Sequence, residues 1–378
     1  MLTFRQLDDL STSITDSLED TTQSIIVDMA RRISRLGEIT PATNWQMLRL
    51  ELVGAQQEKI IKELSRCLSM TEKQIEKMFD EAATRTVEKD NQIYKEAGYE
   101  PVALKDNPYL QQVISAGLAK TNNAFKNLTR TTARTVTKQF EDALDLAHMQ
   151  IVTGTRDYQS SIKSAIKNLS QKGLNSIKYS SGKIDSLDVA ARRAILTGIN
   201  QTTGEIQIAN MELMGIDLVE VTAHHGARPS HAIWQGKVFS VSGTSLEYPS
   251  LREVTGYGTG DGLKGWGCRH DFFPFIEGVS EKAYTSKSLR GLSEQTTTYN
   301  GKKLSIYEAT QQQRYIERQI RQWKREAYAL KAGNVDYITA QRKVREWQAR
   351  QRDFISQTGL RRDYFRERAG RQNLEIAS

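Results

Sequence analysis

The sequence predicts a mainly α chain with a small α+β module set into it. Three observations support this. Apolar residues recur at helical spacing over long stretches on both sides of the module. Only six prolines occur in 378 residues, which leaves room for long uninterrupted helices. Between the helical regions, residues 221–279 hold four of the five histidines, one of the two cysteines and a glycine-rich run beginning at Gly256.

Composition sets the outer bounds. A chain of this length can form two or three domains with a sizeable core. Apolar residues make up 38% and mean hydropathy is −0.56, which predicts an elongated, helix-rich protein with much solvated or partner-covered surface. No apolar run approaches the ~18 residues of a membrane span, and the opening MLTFRQLDD has no signal-peptide core. Cys67 and Cys268 lie in unrelated contexts and suggest no disulfide framework. A soluble, cytosolic product is expected.

Leu7, Ile14, Leu18, Ile25, Met29, Ile33 and Leu36 step by three, four and seven, predicting a first helix that stops at Gly37 ahead of Pro41. A second helix is expected over 45–68. Thr71-Glu72-Lys73-Gln74 then reads as a capping box opening a third, which runs to Gly98. Pro101 and Pro108 bracket a short loop. The stretch 109–152 is helical and rich in threonine, a polarity that predicts contact with solvent or neighbouring subunits. A helix over 159–171 precedes a β-hairpin over 176–187 with Ser180-Ser181-Gly182 as its turn. Ser186 then caps a helix to Gly215, whose weakest points are Arg192-Arg193 and 202–204.

Strands are expected over 218–222, 238–242 and 272–276, and a polar linker over 286–303. In the tail, Ile316, Ile320, Trp323, Ala327 and Leu330 step by four and three. After a turn at 332–334, Ala340, Val344, Trp347, Gln351 and Phe354 repeat those steps. Matching seams joined by a short turn predict an antiparallel helical hairpin. The expected division is therefore a helical N-terminal region (1–215), the α+β module (216–285), the linker (286–303) and the hairpin tail (304–378).

The net charge of +8 is concentrated in that tail: residues 301–370 carry 17 Lys/Arg against 8 Asp/Glu. This asymmetry points to an anionic partner, either nucleic acid or an acidic protein surface. Arg318, Arg321, Arg325, Arg345, Arg350 and Arg352 fall between seam positions and are expected to face outward as candidate nucleic-acid contacts.

In the module, His231, Cys268 and His270 are zinc-type ligands, and His224 or His225 can complete a tetrahedral set. Residues two apart on an extended strand share a face, so Cys268 and His270 can converge. A structural zinc is one expectation. Loop-stabilising hydrogen bonds from the same side chains are another. A thiolate nucleophile, or metal-assisted hydrolysis using Asp261 or Asp271, is a third. The glycine run is no phosphate loop, because no Gly-Lys-Ser/Thr follows it.

HHGARPSHAIWQGKVFSV, followed by GLKGWGCRHDFFPF, resembles the minor head proteins of tailed phages. Together with YEATQQQRYIERQIRQWKREAYAL and TGLRRDYFRERAG it is more closely similar to the phage minor capsid protein 2 family of Gram-positive hosts. Arg228, Pro229, His231, Gly236, Cys268, Arg269, His270 and Pro274 also match the pattern of the phage Mu F-like head morphogenesis proteins. Where those often have His-Pro-Asn, this chain has Gly265-Trp266-Gly267. The resemblance implies a low-copy structural protein of the phage head with no established catalytic activity. It would lie at the portal vertex and act in head assembly or in DNA packaging and delivery. Its implied partners are portal and capsid proteins and packaged double-stranded DNA. It would be oligomeric in the virion and pass through the host cytoplasm during assembly. The alternatives are a metal- or thiol-dependent hydrolase and a nucleic-acid-binding module without a virion role.

Overall fold

The protein is described here by a computed structural model covering residues 4–38, 45–178, 182 and 184–370, with the side chains of 4–13 and 175 left aside. The expected positions Leu7, Pro41, Ser180 and Ser181 therefore lie outside the described residues or side chains. The first periodic stretch folds as α1 (Phe4–Ser34), with Ile14, Leu18, Ile25, Met29 and Ile33 buried.

The next two expected helices are one. Helix α2 (Trp45–Glu96) runs unbroken through both. Ile60, Leu64, Cys67, Thr71, Ile75, Met78 and Ala82 are all buried, so the stripe continues through the supposed break. The Thr71 hydroxyl donates to the Cys67 carbonyl at 2.6 Å, the back-bond a mid-helix threonine makes. A capping box needs free amides, and inside a continuous helix there are none. Helix α3 (Pro108–Val152) follows the same rule: Thr129, Thr132, Thr135 and Thr137 each donate to the carbonyl four residues earlier.

After α4 (Tyr158–Lys172), capped by Asp157 accepting from the Ser160 amide at 2.9 Å, β1 (Asn175–Lys178) and β2 (Ile184–Ser186) pair antiparallel. Helix α5 (Leu187–Met214) passes straight through 192–193 and 202–204. It is not broken because its glycines serve close packing. A Cβ on Gly198 would collide with Thr121 of α3, and one on Gly117 of α3 with Thr202. The two helices cross too closely there for any larger residue.

The central sheet is β3 (Leu218–Val221) flanked antiparallel by β4 (Val238–Ser240) and β5 (Phe272–Pro274). Short helices α6 (Pro229–Ala232) and α7 (Leu251–Thr255) lie in its connections. Segment 286–303, expected as a linker, instead holds α8 (Ser286–Glu294) and most of a hairpin, β6 (Thr296–Tyr299) with β7 (Lys302–Ser305). Thr285 caps α8 by accepting from the Ser288 amide. The tail forms α9 (Ile306–Ala332) and α10 (Ile338–Thr358). Tyr315 meets Trp347 edge-on, with ring centroids 5.7 Å apart. Most seam positions are buried, and Trp323 and Trp347 are half-buried.

These elements form two compact units. One comprises Met1–Ser11, Glu72–Ala124 and Arg193–Gln311; the other comprises Thr12–Thr71, Phe125–Arg192 and Gln312–Ser378. Each unit draws on three separate stretches, so the unit borders do not follow the linear division at 215, 285 and 303.

In the first unit, β3 is buried along its whole length. Val219 and Val221 face a core containing Tyr94, Met211, Phe239, Leu251, Leu263, Cys268 and Phe272. On the other face Leu218 packs with Val238 and Phe275. Glu220 shares that second face and is satisfied by the amides of Ala283 and Tyr284 at 3.0 and 3.2 Å.

The second unit buries charge. Arg321 does not face outward as expected. It donates to Glu19 of α1 at 3.1 Å and to Asp188 of α5 at 3.2 Å. Arg325 is buried, against the turn at Gly173. The tail helix is covered on more than its seam, and Arg321 ties it to α1 and α5. Burial first, and then the Asp188 carboxylate, push Glu19 up to about 8, against the pull of Arg321 and Arg325. Glu19 thus keeps its proton when folded. Its contribution to stability is full below the ordinary glutamate range and is lost as pH rises towards 8. The Glu19→Gln variant keeps a neutral side chain. Its melting temperature, followed by differential scanning fluorimetry, should therefore fall less than the wild type's between about pH 5 and pH 8.

Candidate metal centre

Pro229 opens α6 at its first turn, where a missing amide costs nothing. The His231 amide donates to the Arg228 carbonyl at 2.8 Å. This turn aims the His231 ring inward, 3% exposed, against Trp234 with ring centroids 4.6 Å apart. Gly236 then carries the chain into β4 with φ +65°, and a Cβ there would lie 2.5 Å from Leu289. Only glycine satisfies both constraints, which accounts for its place in the motif.

The glycine-rich run folds on itself. The Thr259 amide donates to Gly256, Leu263 to Thr255, Trp266 to Gly260 and Cys268 to Gly265. These bonds deliver Cys268 to the core and His270 to the entry of β5. Lys264, 1% exposed, forms an ion pair with Asp271 and donates to Thr203 and Gln207 of α5, each at 3.2 Å. Gln207 in turn donates to the Phe272 carbonyl at 2.6 Å. Both ends of the ligand-bearing segment are therefore held on α5.

The structure brings three of the expected ligands together. Cys268 Sγ lies 3.7 Å from His231 Nδ1 and 3.8 Å from His270 Nδ1, and the three ligand atoms are all within 4.8 Å of one another. The two-residue spacing of Cys268 and His270 does converge, although the segment is loop and not strand. The His224 ring lies against His270, centroids 4.3 Å apart. Its Nε2 is buried without a hydrogen-bond partner. His225 is exposed and meets His224 through its backbone carbonyl.

Each ring is oriented by its other nitrogen. His231 Nε2 donates to the Asp261 carbonyl at 2.9 Å, His270 Nε2 to Gln235 Oε1 at 3.1 Å, and His224 Nδ1 to the His225 carbonyl at 2.8 Å. Gln235 Oε1 also accepts from the His224 amide at 3.2 Å, which fixes the direction of its amide. Sequence reasoning misses Gln235, because a lone glutamine carries no spacing signal.

Burial holds His270 down to about 2, helped by the neighbouring His224, His231, Arg228 and Arg269. It also lowers His224 and His231, so all three rings are neutral and able to coordinate. Burial pushes the Cys268 thiol up, while backbone hydrogen bonds at His270 and Lys264 act the other way. A buried thiol with a raised pKa is a poor nucleophile. The two carboxylates considered for hydrolysis are placed otherwise. Asp271 is paired with Lys264, and Asp261 is exposed and accepts from His231 through its backbone carbonyl.

Of the six candidate nucleic-acid contacts, Arg318, Arg345, Arg350 and Arg352 are exposed. The Arg350 guanidinium lies over the Trp347 ring at 5.1 Å. Among the described residues no helix is long and apolar enough to cross a membrane.

Removing one partner of the Lys264–Asp271 pair leaves an uncompensated buried charge. Asp271→Ala should destabilise the fold by about 3–5 kcal/mol in urea titration, and Lys264→Met combined with Asp271→Leu should recover much of that loss.

The chain is 28% identical over 257 residues to a structural protein of Lactococcus phage LL-H; the match covers 65% of this chain and 66% of that protein. It is 34% identical over 125 residues to a structural protein of Lactococcus phage mv4, covering 32% of this chain and 92% of that one. No solved structure matches it. The model of phage minor capsid protein 2 matches residues 2–356, nearly the whole length, and the chain belongs to that family.

Proposed function

We propose that this minor capsid protein is a structural component of a tailed phage head, placed at the portal vertex and acting in head assembly or in DNA packaging and delivery. The family match over residues 2–356 carries this reading, and the two phage relatives bear names of the same kind. Portal and capsid proteins are its partners and the virion its destination, reached from the host cytoplasm as an oligomeric part of the particle. The role is structural and not that of a hydrolase: Cys268 is buried, and the Asp271 carboxylate is engaged by Lys264.

The basic tail contacts packaged DNA through Arg318, Arg345, Arg350 and Arg352, the four exposed members of the set. Arg321 and Arg325 have no part in it: Arg321 is paired with Glu19 and Asp188 inside the second unit, and Arg325 is buried there.

Quantitative mass spectrometry of purified, DNA-filled particles tests the virion role. A few to a few dozen copies per particle are expected, and absence from particles with abundant free protein in the lysate would overturn it. For DNA contact, the full-length chain should bind random-sequence duplex with a steep dependence on salt. Replacing the four arginines with alanine should reduce the log–log slope by up to ~0.9 for each phosphate that is no longer neutralised. A slope unchanged by these substitutions would point instead to an acidic protein surface.

A further inference from the structure

Counting protons around Cys268 exposes an imbalance. The Asp261 and His225 carbonyls can only accept, so His231 must carry its proton on Nε2 and His224 on Nδ1. Gln235 Oε1, fixed by the His224 amide, places the His270 proton on Nε2. His231 Nδ1 and His270 Nδ1 are consequently bare lone pairs facing one sulfur, and His224 Nε2 is a third, buried and unpartnered. The Cys268 thiol has a single proton, which the His270 carbonyl at 3.9 Å also attracts. One proton cannot serve two ring nitrogens and a carbonyl, and His224 Nε2 has no donor at all. Buried acceptors left in this state cost free energy, and native structures rarely retain them.

We infer that His231, Cys268, His270 and His224 bind a zinc ion as a closed, four-ligand structural site. A single divalent cation satisfies every lone pair at once, with the thiol losing its proton to solvent as the metal binds. The two sulfur–nitrogen distances fit. Zinc holding imidazole nitrogen at ~2.0 Å and thiolate at ~2.3 Å in a tetrahedron separates those ligand atoms by about 3.5 Å, against the 3.7 and 3.8 Å found. The donor set selects the ion: thiolate and imidazole favour zinc over calcium or magnesium, which require oxygen. Each ring also donates its second nitrogen to a carbonyl oxygen, of the backbone for His231 and His224 and of the Gln235 amide for His270. This is the outer-shell bond that sets tautomer and direction in metal-bound histidines.

The site fastens α6 to the segment entering β5, two places 37 residues apart in the chain. It therefore has a structural purpose that needs no substrate and no open coordination position. Arg228, Pro229 and Gly236 act by shaping the turn that presents His231.

The test uses the full-length protein and the metal alone. After exchange into chelated buffer and addition of zinc, about one ion per chain should remain through gel filtration. Cobalt in its place should give the intense absorption of a tetrahedral ion together with a thiolate-to-cobalt charge-transfer band. Only Cys67 and Cys268 exist to supply that band, so Cys67→Ser should keep it and Cys268→Ser should abolish it. Gln235→Leu, which leaves all four ligands in place, should weaken zinc binding about 10–100-fold. His224→Ala should weaken binding and alter the cobalt spectrum as water takes the fourth position. Failure of the wild type to retain zinc, a six-coordinate cobalt spectrum, or a charge-transfer band surviving Cys268→Ser would overturn the site. An unchanged His224→Ala would overturn its closed four-ligand form. Should Cys268→Ser fail to fold, the wild-type and Cys67→Ser cobalt spectra still decide between these outcomes.

Discussion

A buried lysine and a buried aspartate govern how the central module is built. Lys264 and Asp271, 1% and 8% exposed at their side chains, have little water to turn to. Separating them would strand two charges in the core, so the six residues between them must close into a loop. That loop contains Cys268 and His270. Lys264 is also held in a left-handed backbone conformation, φ 62°, which a side chain adopts only where its surroundings over-determine it. Thr203 and Gln207 supply that constraint from α5. Asn200, further back on the same helix, lies 3.5 Å from the Cys268 carbonyl. One polar face of α5 therefore positions the ligand segment, and the motif residues act on a stage this helix sets.

That dependence explains which parts of the site were legible in the sequence. His231, Cys268 and His270 stood out because their residue types are scarce and their chemistry specific, and the structure brings all three together. The partners that orient them are commonplace: one glutamine, two backbone carbonyls and a threonine–glutamine pair on a helix. No spacing marks such residues, since what selects them is proximity in the folded chain. The fold divides in the same way. Helix periodicity located most helices, and the three central strands were also expected to within a few residues of where they lie. It failed at Thr71, where a capping pattern coincided with a stripe that never breaks, and over 286–303, where polar residues form a short helix and a hairpin with little apolar burial.

The tail arginines show a related limit. A seam repeating by four and three identifies the face a helix buries against one neighbour. Helix α9 has more than one: Arg321 reaches α1 and α5 from the position directly after Ile320. A strict two-helix reading places that residue in solvent. Charge counts therefore overstate the basic surface, because part of the excess is neutralised inside the unit. The polar interior has a further consequence. Glu19, Glu317 and Asp90 are all pushed up to about 7 or 8, mainly by burial. Each favours the folded state more at lower pH and loses that advantage as pH rises through its folded value. Interiors of this kind often give up stability relative to an apolar core of similar volume.

The central sheet faces the opposite problem. Its strands have four, three and three residues, shorter than the five or six usual for strands, and most of the surrounding chain is irregular. Long helices draw stability from many repeated local bonds, whereas loops of this kind must be fastened at chosen points. The Lys264–Asp271 pair is one fastening and the Glu220 contacts to Ala283 and Tyr284 are another. The His231–Cys268–His270 cluster joins the two longest irregular connections, β3 to β4 and β4 to β5. The zinc ion proposed at this cluster would cross-link both connections at a single point. A module stiffened in this way can present a fixed surface while its own hydrophobic core remains small. That combination suits a part whose shape matters to its neighbours more than its chemistry does.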